Sequence, residues 1–215
     1  MTNLWRKLFS PKFQCPVCNG RGFRIDEEIS ATYCLSCGSH PRHRVLTQKL
    51  RTLPIHGKTI LEVAPLSPLI YGGILRKLGC KKYVSCDKWP NGNPVDPRDV
   101  SFVDSFCDII ELDKHFAGEM FDYIIVQHVI EEVPEYITAI EALSKTLNQR
   151  EGVALLEIPC LSQVDHFSHT ENRYGNVWTF SKQKLLDEMA SYFRQIDVWQ
   201  WEETGMPVEI FVCRR

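Results

Sequence analysis

Four cysteines near the start of the chain are spaced as two pairs of metal ligands. Cys15 and Cys18 form one C-x2-C pair. After a fifteen-residue spacer, Cys34 and Cys37 form a second. Tetrahedral zinc is commonly held by four thiolates from two such tight turns, at Zn–S distances of about 2.3 Å. A glycine closely follows each pair and lets backbone amides point at the sulfur atoms. The spacing predicts a structural zinc ribbon over residues 1–44, although an iron site of the rubredoxin type would use the same ligands.

Acidic residues stand where two buried strands are predicted to end. Residues 58–87 read as strand, turn, helix and strand, which is the βαβ pattern. Glu62 lies near the end of the first strand, and Asp87 ends the second. An acid about twenty residues after the first turn is placed to accept hydrogen bonds from both hydroxyls of a ribose. Asp87 therefore predicts a nucleoside-type cofactor site; the alternative is a solvated residue at a strand end.

The turn after the first strand restricts which nucleoside fits. It reads Ala64-Pro65-Leu66-Ser67-Pro68 and contains no glycine. A pyrophosphate needs glycine because the backbone must approach it closely, and the two prolines remove amide donors. A dinucleotide or nucleoside triphosphate is therefore disfavoured, and a nucleoside without phosphates is favoured.

Later segments add candidate ligands at the same edge of the predicted sheet. Asp108 is placed to accept a hydrogen bond from an exocyclic adenine amine, with Ile109 against the ring face. Trp89 either flanks a bound purine or covers the loop that follows Asp87. Gln127 and His128 end the next buried strand and face the same crevice.

The elements that must position these residues alternate between strand and helix, which predicts an α/β fold. The remaining predicted elements are strands at 105–110, 120–128 and 152–159, helices at 135–147 and 181–190, and a terminal antiparallel hairpin of 193–201 with 207–213.

Bulk properties set the class of protein. The 215 residues suffice for one ordinary domain plus a small appendage, with 44% apolar and 24% charged residues, as in soluble globular proteins. The formal net charge of −2 argues against a protein that mainly coats nucleic acid. No apolar run reaches membrane-spanning length. Nine cysteines, an odd count, and an N-terminus without an export signal indicate a reducing compartment, so we expect a cytoplasmic protein.

A basic cluster joins the ribbon to the main domain, predicted over residues 45–215. Arg42, His43 and Arg44 precede a helix predicted over 45–53, which with a linker to residue 57 connects the two parts. The cluster either contacts a phosphate or carboxylate of a ligand or forms an interdomain salt-bridge patch.

Together, these segments resemble a class I S-adenosylmethionine-dependent methyltransferase of the small-molecule and biosynthetic branch. The matching runs, in the family's order and spacing across residues 55–213, are 60–64, 83–87, 107–110, 121–133 and 152–159. The resemblance implies S-adenosylmethionine as cofactor. It also implies a Rossmann-like seven-stranded sheet with helices on both faces, in addition to the zinc ribbon.

The resemblance implies a contact for each matched residue. The residues implied along the methionine portion are Glu62, Ala64, Pro65 and Leu66, and the residue implied at the ribose is Asp87. The residues implied around the adenine are Lys88, Trp89, Asp108 and Ile109, and those implied at the sulfonium and the substrate entrance are Gln127 and His128.

Methyl transfer to a hydroxyl or ammonium nucleophile needs in-line alignment and a base. Histidine exchanges protons near neutral pH, so the candidate bases are His128, His166 and His169. The alternative is that these histidines only pack at a strand end or lie on the surface. The polar and aromatic loop over 160–178 is expected to bind a polar small molecule, a sugar-like compound or a peptide end, through Glu171, Arg173 and Tyr174.

Two departures from the family leave other functions open. The first motif is poor in glycine, and Glu132 stands where the family has histidine. One alternative is an RNA-binding protein or RNA methyltransferase whose ribbon grips nucleic acid. The acidic balance and the absence of a basic, aromatic stripe beyond residues 42–44 argue against it. The other is a cofactor-free scaffold whose ribbon recruits a partner protein.

Overall fold

The computed structural model describes residues 14–26, 31–92, 99–161, 168–169, 177–203 and 206–215. Contacts divide the chain into two units. The ribbon unit comprises Met1–Gly57, Leu66–Lys81 and Gln200–Val208, and the sheet unit comprises Lys58–Pro65, Lys82–Trp199 and Glu209–Arg215. The chain therefore passes repeatedly between the units. The boundary expected between residues 44 and 45 stays a prediction.

Among its described residues, the ribbon unit contains one hairpin and two helices. Strand β1 (Phe23–Asp26) pairs antiparallel with β2 (Ala31–Cys34). Helix α1 (Pro41–Leu50) starts with a proline, whose missing amide is not needed in a first helical turn. Helix α2 (Gly72–Lys77) contributes Ile74 to a core shared with the cysteines.

The sheet unit is built on a seven-stranded sheet. In sheet order, its strands are β11 (Gln195–Glu203), β12 (Met206–Arg214), β7 (Val153–Glu157), β6 (Tyr123–Gln127), β3 (Thr59–Val63), β4 (Lys82–Asp87) and β5 (Ser105–Phe106). The five strands from β7 to β5 are parallel, and β12 runs antiparallel to β7. Strands β3, β6 and β7 are nearly continuous buried runs, as is typical of a parallel sheet.

The strand order reverses between β3 and β6. From β3 the chain moves outward through β4 to β5, and then returns to the other side of β3 as β6. Ligands of open α/β sheets bind at the carboxyl ends of the strands beside such a reversal. The fold thus points to the ends of β3, β4, β6 and β7.

Smaller elements complete the sheet unit. They are helices α3 (Leu112–His115), α4 (Tyr136–Thr146) and α5 (Lys182–Met189), 3-10 turns at Ile109–Glu111 and Ile130–Glu132, and a small sheet in the order β8 (Cys160–Leu161), β10 (Trp178–Ser181) and β9 (Ser168–His169). In the part of the chain that the structure describes, no helix has the length and apolar character needed to cross a membrane.

The predicted α/β fold with a seven-stranded sheet is confirmed. The third strand is shorter than predicted, because Asp108 ends it. The Asp108 carboxylate accepts a hydrogen bond from the Ile110 amide at 3.3 Å and caps the 3-10 turn that begins at Ile109.

Candidate active site and candidate metal centre

The four cysteines of the ribbon converge. Their Sγ atoms all lie within 4.8 Å of one another. Cys15 Sγ lies 3.8 Å from Cys37 Sγ, and Cys18 Sγ lies 3.5 Å from Cys34 Sγ. A tetrahedron with metal–sulfur distances of about 2.3 Å has edges of about 3.8 Å. The thiols are therefore spaced to hold one tetrahedral metal ion.

The two cysteine turns have the same backbone design. The Asn19 amide donates to the Cys15 carbonyl at 2.7 Å, and the Gly38 amide donates to the Cys34 carbonyl at 2.8 Å. Both donors have positive φ, 62° for Asn19 and 72° for Gly38. Asn and Gly adopt this conformation at little cost, so each sequence position suits the turn.

Further polar groups surround the sulfur atoms. The Gly20 amide donates to Cys18 Sγ at 3.3 Å, as the glycine after the pair predicted. The buried Ser39 hydroxyl lies 3.3 Å from Cys15 Sγ and 3.2 Å from Cys37 Sγ. Polar groups of this kind orient the ligands, and the amide, as a donor, stabilises the charge of a thiolate. Sequence reasoning missed Ser39, whose one signal is its place two residues after the last cysteine.

The three residues of the basic cluster, Arg42, His43 and Arg44, have different surroundings. Arg44 is fully buried, and its guanidinium donates to the carbonyls of Ser39 (2.5 Å) and Thr32 (3.2 Å). His43 is also buried, and its Nδ1 accepts from the His40 amide at 3.0 Å. Arg44 therefore ties the hairpin to α1 through carbonyl groups, which neither of the two alternatives for the cluster anticipated. Arg42 alone remains half exposed.

Asp87 ends β4 at the predicted position and is buried. One carboxylate oxygen accepts from the Trp89 amide at 2.9 Å. Next along the sheet, the Cys107 amide donates to the Asp87 carbonyl at 2.9 Å. The Trp89 bond fixes the carboxylate at the strand end, and its second oxygen accepts no hydrogen bond from the described residues.

The residues expected around adenine gather beside Asp87. Lys88 Nζ lies 2.7 Å from an Asp108 oxygen and 5.2 Å from the centre of the Trp89 ring. Ile109 is buried, and Trp89 is more than a third exposed. The Lys88 pair occupies one Asp108 oxygen, and the Ile110 amide binds the other. An adenine amine would therefore have to share an oxygen with one of these donors.

Glu62 is a buried acid on the central strand. Tyr83 Oη donates to its carboxylate at 2.6 Å. Burial raises the pKa of Glu62, the Tyr83 hydrogen bond partly opposes the rise, and the pKa is about 7. Its protonation therefore changes near neutral pH. Sequence reasoning missed Tyr83, which lies on the neighbouring strand.

The turn after β3 begins with a left-handed residue. Ala64 has φ of 52°, and its amide donates to the Cys86 carbonyl at 2.7 Å. Pro65 is buried and belongs to the sheet unit, whereas Leu66 begins the next segment of the ribbon unit. Alanine thus occupies a conformation that favours glycine.

His128 lies between two buried carboxylates. Its Nδ1 is 2.8 Å from Glu131 Oε1, and its Nε2 is 3.3 Å from Glu157 Oε1. Burial lowers the pKa of His128, but hydrogen bonds to Glu131 and Glu157 and their charges outweigh it and raise the pKa to about 9. Since both nitrogens donate to carboxylates, the imidazole is a cation near neutral pH.

A polar network extends from His128 along two strand ends. Gln127 Nε2 donates to Glu157 Oε2 at 2.5 Å, while the second oxygen of Glu131 is buried without a partner among the described residues. Each of the acids Glu62, Asp87, Glu131 and Glu157 is at most 7% exposed. We call these four residues the acidic edge. Sequence reasoning missed both acids: Glu157 lies on another strand, and Glu131, three residues after His128, lies in a turn whose side-chain directions the sequence does not give.

The remaining predicted residues lie in or beside the loop after β7. His166, Glu171, Arg173 and Tyr174 lie outside the described residues. His169 ends β9, and only its backbone is described. Their assigned roles stay predictions.

No protein-family model and no curated protein sequence matches this chain. Solved structures match it in fold. The N-terminal domain of EvdMO1, in the presence of S-adenosylhomocysteine and D-fucose, has a TM-score of 0.59 at 15% identity, over 82% of this chain and 84% of that one. The N-methyltransferase NodS from Bradyrhizobium japonicum, in complex with S-adenosylhomocysteine, has a TM-score of 0.52 at 17% identity, over 81% and 87%.

A third match adds a bound acceptor. The 1,6-didemethyltoxoflavin-N1-methyltransferase of Burkholderia thailandensis, with 1,6-didemethyltoxoflavin and S-adenosylhomocysteine bound, has a TM-score of 0.56 at 16% identity, over 81% of this chain and 76% of that one. At these identities the similarity establishes the fold. The sheet unit has the class I methyltransferase fold.

Proposed function

We propose that this chain is an S-adenosylmethionine-dependent methyltransferase that methylates an oxygen or nitrogen of a polar small molecule, a sugar-like compound or a peptide end. The observation that carries the proposal is Asp87, a buried carboxylate with one available oxygen at the end of β4. That position, on the strand next to β3 and so one strand from the reversal of strand order, suits the two hydroxyls of a ribose. Similar folds in complex with S-adenosylhomocysteine support this assignment.

The charge of the acidic edge also favours this cofactor. Its four carboxylates are accompanied by the His128 cation, with the Lys88–Asp108 pair beside them. Opposite charges about 4 Å apart attract by about 4 kcal/mol at an effective dielectric constant of about 20. A sulfonium and an ammonium, both cationic, are therefore better ligands here than a phosphate would be.

The cofactor would supply an electrophilic methyl group on a positively charged sulfur. Asp87 would hold the ribose, and Glu62 would face the methionine portion. On transfer of that methyl group to the lone pair of the acceptor, the sulfur would keep the electrons of the broken carbon–sulfur bond, and a base of this chain would take the acceptor proton. His128 has no lone pair available while it bridges Glu131 and Glu157. We therefore assign it to holding these acids, and His166 and His169 remain the candidate bases.

The cysteine cluster is proposed to hold structural zinc. Four thiolates satisfy a tetrahedral ion and leave no position for a substrate or a reactive water. The Gly20 amide donates to Cys18 Sγ, and the Ser39 hydroxyl, which accepts from the Cys37 thiol, can turn to donate to a thiolate, so both groups suit thiolate ligands. The ion would thus stabilise the ribbon without taking part in methyl transfer.

Calorimetric titration with S-adenosylhomocysteine tests the proposed function. The Asp87→Asn substitution keeps an oxygen for the Trp89 amide but removes the charge, so the affinity is expected to fall at least about tenfold. Asp113→Asn, on α3, is the matched control and should bind normally. Absence of binding heat in the unsubstituted, zinc-loaded protein, or equal affinities for both variants, would overturn the proposal.

A further inference from the structure

The net charge of −2 conceals an uneven distribution between the two units. The ribbon unit carries twelve Lys and Arg against five Asp and Glu, which gives +7. The sheet unit carries thirteen against twenty-two, which gives −9. The overall acidity, which argued against nucleic acid in the sequence, therefore belongs to the sheet unit. Taken by itself, the ribbon unit is strongly basic.

Several cations of the ribbon unit are exposed and lack acidic partners. Arg21, Arg24, Lys77 and Lys81 are exposed, and among the described residues no carboxylate lies within ion-pair distance of any of them. In the sheet unit, by contrast, Lys82 pairs with Glu119. Cations that no internal acid neutralises are available to an external anion.

Aromatic rings lie next to these cations. The Arg24 guanidinium is 5.9 Å from the centre of the Tyr33 ring, its cross-strand partner. The Tyr33 ring stacks on that of His40, with centroids 6.0 Å apart and planes 29° apart. We call Arg24, Tyr33 and His40 the stacking face.

We propose that the ribbon unit binds single-stranded nucleic acid through the stacking face. Proteins that bind single strands combine cations that follow the phosphates with aromatic rings that stack on the bases. Arg24 supplies the first feature at this face, and Tyr33 with His40 supplies the second. The remaining exposed cations of the unit extend the positive field without specifying a sequence.

The aromatic component favours nucleic acid over other polyanions. A sulfated polysaccharide or an anionic membrane would be attracted by the same charges, but neither presents bases to a stacked ring. Loss of the Tyr33 ring should therefore weaken the binding of nucleic acid more than the binding of a sulfated polysaccharide or an anionic membrane. This inference is independent of methyl transfer, because it concerns residues of the ribbon unit alone.

Fluorescence anisotropy with the full, zinc-loaded chain tests the inference. The probes are labelled oligouridine and oligothymidine of roughly 20 nucleotides, with heparin and phosphatidylserine vesicles as competing polyanions. We expect binding to either oligonucleotide, weakened about tenfold between about 50 and 200 mM salt. Arg24→Glu should weaken binding about tenfold and reduce the salt dependence by about one ion. Lys114→Glu in the sheet unit, which makes the same change of charge, should not.

The Tyr33 ring separates stacking from simple charge attraction. Tyr33→Ala should lose at least about fivefold in oligonucleotide affinity, whereas Tyr33→Phe should retain it. Zinc content and circular dichroism establish that each variant is folded. The proposal fails if neither oligonucleotide binds at low salt, if Lys114→Glu weakens binding as much as Arg24→Glu does, or if folded Tyr33→Ala binds normally while heparin competes. Binding of S-adenosylhomocysteine, measured in parallel, reports on the methyltransferase proposal separately.

Discussion

His128 shows how the surroundings of one residue decide its chemistry. As an isolated residue at a strand end it is a candidate base, but two buried acids bind both of its nitrogens. Its raised pKa means that it stabilises the fold fully below about pH 6.5, and that this stabilisation is lost as the pH rises through about 9. We predict that His128→Gln lowers the free energy of unfolding by about 1–3 kcal/mol at pH 7 and flattens this pH dependence. Urea unfolding from pH 6 to 9.5 measures both, with surface His115→Gln as control; an unchanged profile would contradict the assignment.

Glu62 presents the opposite case, an acid whose pKa is raised by burial. The unfolded chain releases this proton near pH 4.5 and the folded chain near pH 7, so stability falls across that window and is level above it. A cationic ligand favours the ionised form. We therefore predict that S-adenosylmethionine binding releases a proton below pH 7 and weakens by up to about tenfold per pH unit there. Titration in buffers of different ionisation enthalpy measures the proton; Glu62→Gln should abolish the effect, and Tyr83→Phe should move it to higher pH.

At the scale of the elements, the turn after β3 carries a specific backbone requirement, as the end of β6 does at His128, where φ is also 52°. Ala64 is left-handed, which costs a residue with a Cβ about 1–2 kcal/mol. We predict that Ala64→Gly is neutral or stabilises the fold by up to about 1 kcal/mol, since relief of strain exceeds the added entropy of the unfolded chain. Ala64→Val should destabilise it, because a branched side chain tolerates positive φ poorly. Chemical denaturation measures the free energy of unfolding of these variants and of the control Ala190→Gly, which lies at a right-handed helix end where glycine relieves no strain. Equal changes in stability for Ala64→Gly and Ala190→Gly would contradict the explanation.

The local sequence patterns predicted most of the helices and strands, but they did not predict contacts between residues that lie far apart in the chain. The cysteine spacing and the buried runs of β3, β4, β6 and β7 are visible in the sequence, because each depends on neighbouring residues. The position of Asp87 follows from the βαβ pattern in the same way. In the clasp around His128, Glu131 lies three residues along the chain in a turn whose side-chain directions the sequence does not give, whereas Glu157 comes from a different strand and no periodicity marks it. The membership of α2 in the ribbon unit has the same origin, because Ile74 packs with cysteines far away in the chain.

At the scale of the whole molecule, the chain connects the candidate metal centre to the candidate cofactor site. The chain leaves the sheet unit after Pro65, and segment 66–81 then packs Ile74 against the cysteine core. The chain returns to the sheet unit at Lys82, the first residue of β4. Loss of the metal should loosen this segment and hence the strand end that carries Asp87, since zinc binding supplies folding free energy. We predict that chelation removes one zinc ion per chain and weakens S-adenosylhomocysteine binding at least about fivefold, with recovery on adding zinc.

Two substitutions distinguish this coupling from direct damage by the chelator. Cys34→Ser removes a ligand and should reproduce both the metal loss and the weaker binding in untreated protein. Cys80→Ser, in the same segment but outside the metal cluster, should leave zinc content and affinity unchanged. Metal analysis and calorimetry on the same samples make the comparison. A metal-free chain that binds S-adenosylhomocysteine as tightly as the zinc-loaded chain would show that the two sites are independent, because the covalent continuity through segment 66–81 would then transmit no free energy between them.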